Sequence, residues 1–139
     1  MTGCIFEVSG GNNGVMLYQS MSGDAADSDA TSDCSTLTMT DTTINNNTDG
    51  AMFYITNTNS VVNINGANTL KSANGELVSA ATGRWGNDGS NGGTLTLNIS
   101  KMTVADKISA DDISTVTVNL SDSAAFTGST EGSVTVNKA

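Results

Sequence analysis

Short segments of alternating apolar and polar residues recur along this chain at a nearly constant interval, and that recurrence limits the fold more than any other feature. One series reads Thr36-Leu37-Thr38-Met39, Val61-Val62-Asn63-Ile64, Thr94-Leu95-Thr96-Leu97, Thr115-Val116-Thr117-Val118 and Ser133-Val134-Thr135-Val136. Each is a period-two strand pattern. A second series interleaves with it: Gly14-Val15-Met16-Leu17-Tyr18, Gly50-Ala51-Met52-Phe53-Tyr54 and Gly75-Glu76-Leu77-Val78. Leu37 to Val62 and Gly50 to Gly75 are both 25 residues, Leu95 to Val116 is 21 and Val116 to Val134 is 18. The longer intervals, Gly14 to Gly50 and Val62 to Leu95, each contain an insert, at residues 23–33 and 84–93. With those removed the repeat is restored.

A repeat of this length with short strands, Gly/Asn turns and no helical period predicts an all-β chain, a single-stranded parallel β-helix. Its coils would stack at about 4.8 Å. Residues 1–139 then form one domain of about six coils. Leu37, Val62, Leu95, Val116 and Val134 are expected to stack inward as an aliphatic core, and Thr38, Asn63, Thr96, Thr117 and Thr135 to line up outside. Tyr18 and Tyr54, at equivalent repeat positions, are expected to stack on each other. The lack of Pro agrees, because Pro would remove a ladder N–H. An antiparallel sandwich explains the regular spacing less well, and a leucine-rich repeat would need helical periodicity.

Composition narrows the function. With 14 acidic and 5 basic residues the net charge is −9, which disfavours nucleic acid and anionic membrane surfaces as partners. No apolar run of 18 residues is present, so no membrane-inserted helix is expected. No secretory leader is read at Met1-Thr2-Gly3-Cys4. There is no His, which removes the Ser-His-Asp triad, the Cys-His pair and imidazole zinc sites. With 20 Thr, 17 Ser and 16 Asn, the composition is that of an extracellular or cell-surface chain. Cys4 and Cys34 form no C-x-x-C, and both a disulfide and two free thiols stay open.

Three stretches carry a resemblance: Gly10-Gly11-Asn12-Asn13-Gly14-Val15-Met16-Leu17-Tyr18-Gln19-Ser20-Met21-Ser22-Gly23-Asp24-Ala25, Phe53-Tyr54-Ile55-Thr56-Asn57-Thr58 and Trp85-Gly86-Asn87-Asp88-Gly89-Ser90-Asn91-Gly92-Gly93. Together they resemble bacterial adhesin-like, right-handed parallel β-helix proteins, including the calcium-associated carbohydrate-binding β-helix domains of cell-surface proteins. The resemblance implies right-handed coiling of the pectate-lyase-like kind and a secreted or surface-attached protein that contacts polysaccharide. Those proteins are usually longer, so the chain reads as a truncated or minimal version of a longer parent.

The inserts supply the candidate chemistry, and both are expected to project on the same side. The first offers Asp24, Asp27 and Asp29 as oxygen ligands for Ca²⁺, although the EF-hand spacing and its terminal Glu are missing. The second offers Trp85, whose ring can stack on a sugar, and Arg84, Asn87, Asp88 and Asn91, which can satisfy its hydroxyls. Against those readings stand a solvated acidic loop and a Trp folded onto the flank of the coils. Asp111-Asp112 superficially looks like a catalytic pair, but it sits at a turn, with Arg84 two coils or more away by the repeat count, so no enzyme is expected.

The expected function is therefore a non-catalytic polysaccharide-binding, adhesin-like module. The alternative is a structural subunit or spacer, a homo-oligomer stacked end to end through its open strand edges. An ice-binding reading of the Thr rows is weakened by the Asn residues that interrupt them.

Overall fold

The computed structural model describes residues 1–18 and 35–138. Among them every regular element is a β-strand. One five-stranded sheet is formed by β2 (Val15–Tyr18), β5 (Phe53–Thr56), β8 (Glu76–Ala80), β11 (Lys107–Ala110) and β14 (Thr130–Glu131). A second is formed by β3 (Ser35–Thr40), β6 (Thr58–Asn65), β9 (Gly93–Ser100), β12 (Thr115–Ser121) and β15 (Val134–Lys138). The remaining strands are β1 (Ile5–Ser9), β4 (Thr43–Asn47) and β7 (Thr69–Ser72) in a three-stranded sheet, and β10 (Thr103–Val104) with β13 (Ala125–Phe126) in a pair. All pairings are parallel.

The chain visits the sheets in a repeating order, and strands three positions apart pair throughout except β7 and β10, an order compatible with a β-solenoid. The fifteen strands make five rounds where about six were expected from the spacing. The inserts and corners lengthen some rounds, and the step from Val62 to its partner Leu97 takes 35 residues.

Alternation of exposure matches the period-two reading. In β6 every second residue is buried, and Val62, Ile64, Leu97, Ile99, Val116 and Val118 are fully enclosed. The first sheet contributes Phe53, Ile55, Val78 and Ile108, and Ile44 of β4 closes the third side.

Two expected registers are shifted. Val62 pairs with Leu97, and Leu95 pairs with Ser60, so the inward column reads Leu37, Val62, Leu97, Val118, Val136. Likewise Met16 pairs with Tyr54, and Tyr18 with Thr56, so the two tyrosines do not share a column. Both errors are slips of two residues. Such a slip leaves every side chain on its own face, so the hydrophobic pattern cannot detect it.

The corner after the second sheet is made the same way in four rounds. Asp41, Gly66, Lys101 and Asp122, each directly following its sheet strand, have φ of 50°, 79°, 63° and 49°. Only one of the four is the Gly that this left-handed conformation favours. Beside it, buried Asn68 accepts the Thr42 N–H at 2.8 Å and donates to the Asn65 carbonyl at 2.8 Å, so corner backbone groups are satisfied inside the chain.

Replacing Lys101 tests this corner. Lys101→Gly removes the Cβ strain at the cost of a more flexible unfolded chain, and the expected net is a gain of up to about 1 kcal/mol. Lys101→Val, branched at Cβ, should lose stability, and urea unfolding of the two variants measures the difference.

Candidate functional site

The 84–93 insert leaves β8 and returns through β9, and its course over the sheet decides what the site is. The sequence reading has it projecting. In the structure it lies back across β5 towards β2. The Tyr54 hydroxyl donates to the Thr82 carbonyl at 3.0 Å. A Cβ on Gly83 would stand 2.5 Å from the Tyr54 hydroxyl and 2.8 Å from Thr56 Oγ1, so the backbone rests directly on the sheet. Gly86, at φ 79°, would bring a Cβ within 2.5 Å of Asn57 Oδ1.

Asn91 buckles the loop. It is completely buried; its amide donates to the carbonyls of Trp85 at 2.9 Å and Gly83 at 3.2 Å, and its oxygen accepts the Thr82 hydroxyl at 2.8 Å. The sequence reading assigned Asn91 to ligand hydrogen bonding. Its donors and acceptor are instead used within the chain, because an amide enclosed with a loop backbone must satisfy that backbone.

Trp85 is delivered by this loop to Tyr18, at the end of β2. The ring centroids are 4.5 Å apart with the planes inclined at 34°. Tyr18 remains 39% exposed and Met16 38%, so the aromatic pair borders solvent and does not belong to the core. Beside it a cleft of about 530 Å³ is lined by Asn12, Asn13, Met16, Tyr54, Arg84 and Trp85. The composition of its wall is aromatic rings, a thioether, two amides and the chain's only Arg.

The predicted ligand-facing residues are thus divided. Arg84 and Trp85 share this cleft. Asp88 lies on the other side of the loop, in a cleft of about 420 Å³ with Thr82, Gly89, Asp111, Asp112 and Ile113. Asn87 is exposed on the loop, where its carbonyl accepts the Ser90 N–H at 3.0 Å. Asn12, Asn13, Met16, Tyr18 and Tyr54 were not foreseen as site residues. A β2–β5 register two residues away from the Gly alignment would have placed Tyr54 beside Met16 and freed Tyr18 to meet Trp85.

Asp111 belongs to the architecture of the loop. One of its oxygens accepts the Thr82 N–H at 2.8 Å; the other accepts the Ile113 N–H at 3.2 Å and the Ser114 hydroxyl at 2.5 Å. Burial pushes its pKa up, but the Ser114, Thr82 and Ile113 hydrogen bonds outweigh this and hold the carboxyl below its ordinary value. Asp111 follows β11, the strand paired with β8, so the insert and the acidic pair lie on adjacent rounds and not two apart.

Among the described residues no group of three His, Cys, Asp or Glu side chains is placed to hold a metal ion. Asp24, Asp27 and Asp29, and Cys34 with its relation to Cys4, lie outside the described residues. Comparison with protein-family models, with curated proteins and with solved structures finds no match to the chain.

Because the folded state holds Asp111 ionised, its contribution is present above the unfolded carboxyl's pKa and is lost as pH falls through the depressed folded value. Asp111→Asn should therefore lower the melting temperature at neutral pH, with the gap to the parent closing in acid. Thermal unfolding followed from pH 7 downward, to about pH 2, reads this directly.

Proposed function

We propose that the chain is a non-catalytic polysaccharide-binding module of a bacterial surface or secreted protein, adhesin-like, and built as a right-handed parallel β-helix of the pectate-lyase-like kind. The observation that carries this reading is the solvent-bordering Tyr18–Trp85 pair beside a cleft walled by Tyr54, Arg84, Asn12 and Asn13. Sugar rings present apolar C–H faces that stack on aromatic rings, and hydroxyl rims that pair with amides and guanidinium groups. Both halves of that chemistry meet in one concavity large enough for a sugar unit.

Within this reading Trp85 and Tyr18 form the stacking platform, Arg84, Asn12 and Asn13 bind hydroxyls, and Asn91 positions the loop. Asp88 and Asn87 serve a chain that continues over the loop. Ca²⁺ held by Asp24, Asp27 and Asp29 on the 23–33 insert belongs to the same proposal, since in the sequence that insert begins five residues after Tyr18. The Thr- and Asn-rich, Lys-poor composition agrees with a place outside the cell.

A panel of soluble and insoluble polysaccharides, screened with Ca²⁺ and with EDTA, tests the reading. Retention on a defined glycan is expected, with Trp85→Ala weakening it by at least about tenfold, ~1.4 kcal/mol. Retention unchanged by Trp85→Ala would remove the cleft from the function. Retention unchanged by EDTA would remove Ca²⁺.

A further inference from the structure

Among the described residues the outer face of the β3–β6–β9–β12–β15 sheet contributes nothing to the cleft, yet its register persists across all five strands. Its registers align the outward side chains in columns. One column is Thr36, Val61, Thr96, Thr117, Thr135; the next is Thr38, Asn63, Asn98, Asn119, Asn137. A third runs Thr40, Asn65, Ser100, Ser121. The asparagines that look like interruptions of Thr rows in the sequence are a row of their own.

That row is locked. Asn63 donates to the Thr38 hydroxyl at 3.1 Å, Asn98 to Asn63 at 2.9 Å, Asn119 to Asn98 at 3.0 Å and Asn137 to Asn119 at 3.1 Å. The threonines beside it are stiff at χ1. Groups therefore stand on a fixed grid, about 4.8 Å between rounds and roughly 6.7 Å, two strand residues, between columns. Five strands span about 19 Å of such a plane.

Charge is missing from it. The five strands contain one charged residue, Lys138 at the far end of β15, in a chain with 14 acidic and 5 basic groups. Aromatic residues are missing too, Tyr18, Tyr54 and Trp85 all belonging to the cleft side.

We propose that this plane binds ice, an activity separate from the glycan reading and resting on none of it. A crystal of water offers neutral donors and acceptors at fixed repeats in two dimensions. A face that matches it needs neutral groups on a rigid grid and must carry no ion, since an ion keeps its own hydration shell and is costly to strip. Each hydroxyl or amide contributes little alone, and the effect comes from many contacts engaged at once on a plane ordered beforehand. Solid polysaccharide is the poorer occupant, because sugar faces are gripped by rings and this plane has none.

Partitioning of the purified chain between slowly growing ice and the remaining liquid, with inspection of crystal shape, tests the proposal. The chain should be enriched in the ice and should facet the crystals. Thr96→Lys and Thr117→Lys, placing a cation in the middle of the plane, should abolish both effects while far-UV circular dichroism is unchanged. Thr135→Lys, on the last strand, serves if the central variants do not fold. Trp85→Ala should partition like the parent. Exclusion of the parent from ice overturns the proposal, as do retained partitioning in a folded Lys variant and loss of it in Trp85→Ala. Capture by a microcrystalline neutral polysaccharide that the Lys variants abolish, without ice partitioning, overturns it in favour of a second glycan surface.

Discussion

Everything in this molecule rests on parallel strands being held by the rounds before and after them. A parallel ladder satisfies backbone N–H and C=O groups only if each round lands in register on its neighbour, and the side chains then stack like on like. The inward stack of Val62, Leu97 and Val118, with Ile64, Ile99 and Leu120 in the column beside it, is the consequence. With 37% hydrophobic residues, the chain can still enclose a core because stacked parallel strands ask only for one inward residue in two.

The same stacking explains why so many buried groups are polar. Corners interrupt the ladder, and each interruption leaves backbone groups without a strand partner. Asn68 answers this at one corner. At another, Asn46 donates to the Gly50 carbonyl at 3.0 Å and Ser72 Oγ at 2.9 Å while accepting the Thr48 hydroxyl at 2.6 Å. Asn91 does for the long insert what these two do for short turns. A side chain with two donors and an acceptor is suited to that task, and the asparagine content follows from the number of corners as much as from any surface role.

Much of this was legible in the sequence, and the part that was not has a single physical cause. Strand positions, the parallel architecture and the identity of inward residues follow from alternation and from the spacing of the repeats. Alternation has period two, so it fixes face but not register. Leu95 and Leu97 are both inward, and nothing local says which of them meets Val62. The same ambiguity hid Tyr54 from Met16 and Tyr18 from Trp85, and with them the cleft. Trp85 and Arg84 could be singled out because a lone Trp in a Gly/Asn loop is conspicuous. Asn91 could not be separated from Asn87 by composition, because only the closeness of the loop to the sheet at Gly83 and Gly86 makes one of them an internal buckle.

Register also decides how the surface is divided. Because columns persist from round to round, the stacked sheets sort chemistry by side, and one side can be specialised without disturbing another. The β2–β5–β8 side receives the insert, and with it the rings, the guanidinium and the cleft. Among the described residues no insert crosses the β3–β6–β9–β12–β15 side, whose three outward columns are Thr, Asn and Ser apart from Val61. An amide ladder such as Asn63–Asn98–Asn119–Asn137 forms only if four successive rounds place Asn at one register position, so the ladder both requires the register and reinforces it. A slip of two residues between β9 and β12, invisible to the hydrophobic core, would oppose Asn98 to Thr117 or Ser121 and break that chain of amides. The outer face thereby supplies the register information that the apolar inner face lacks.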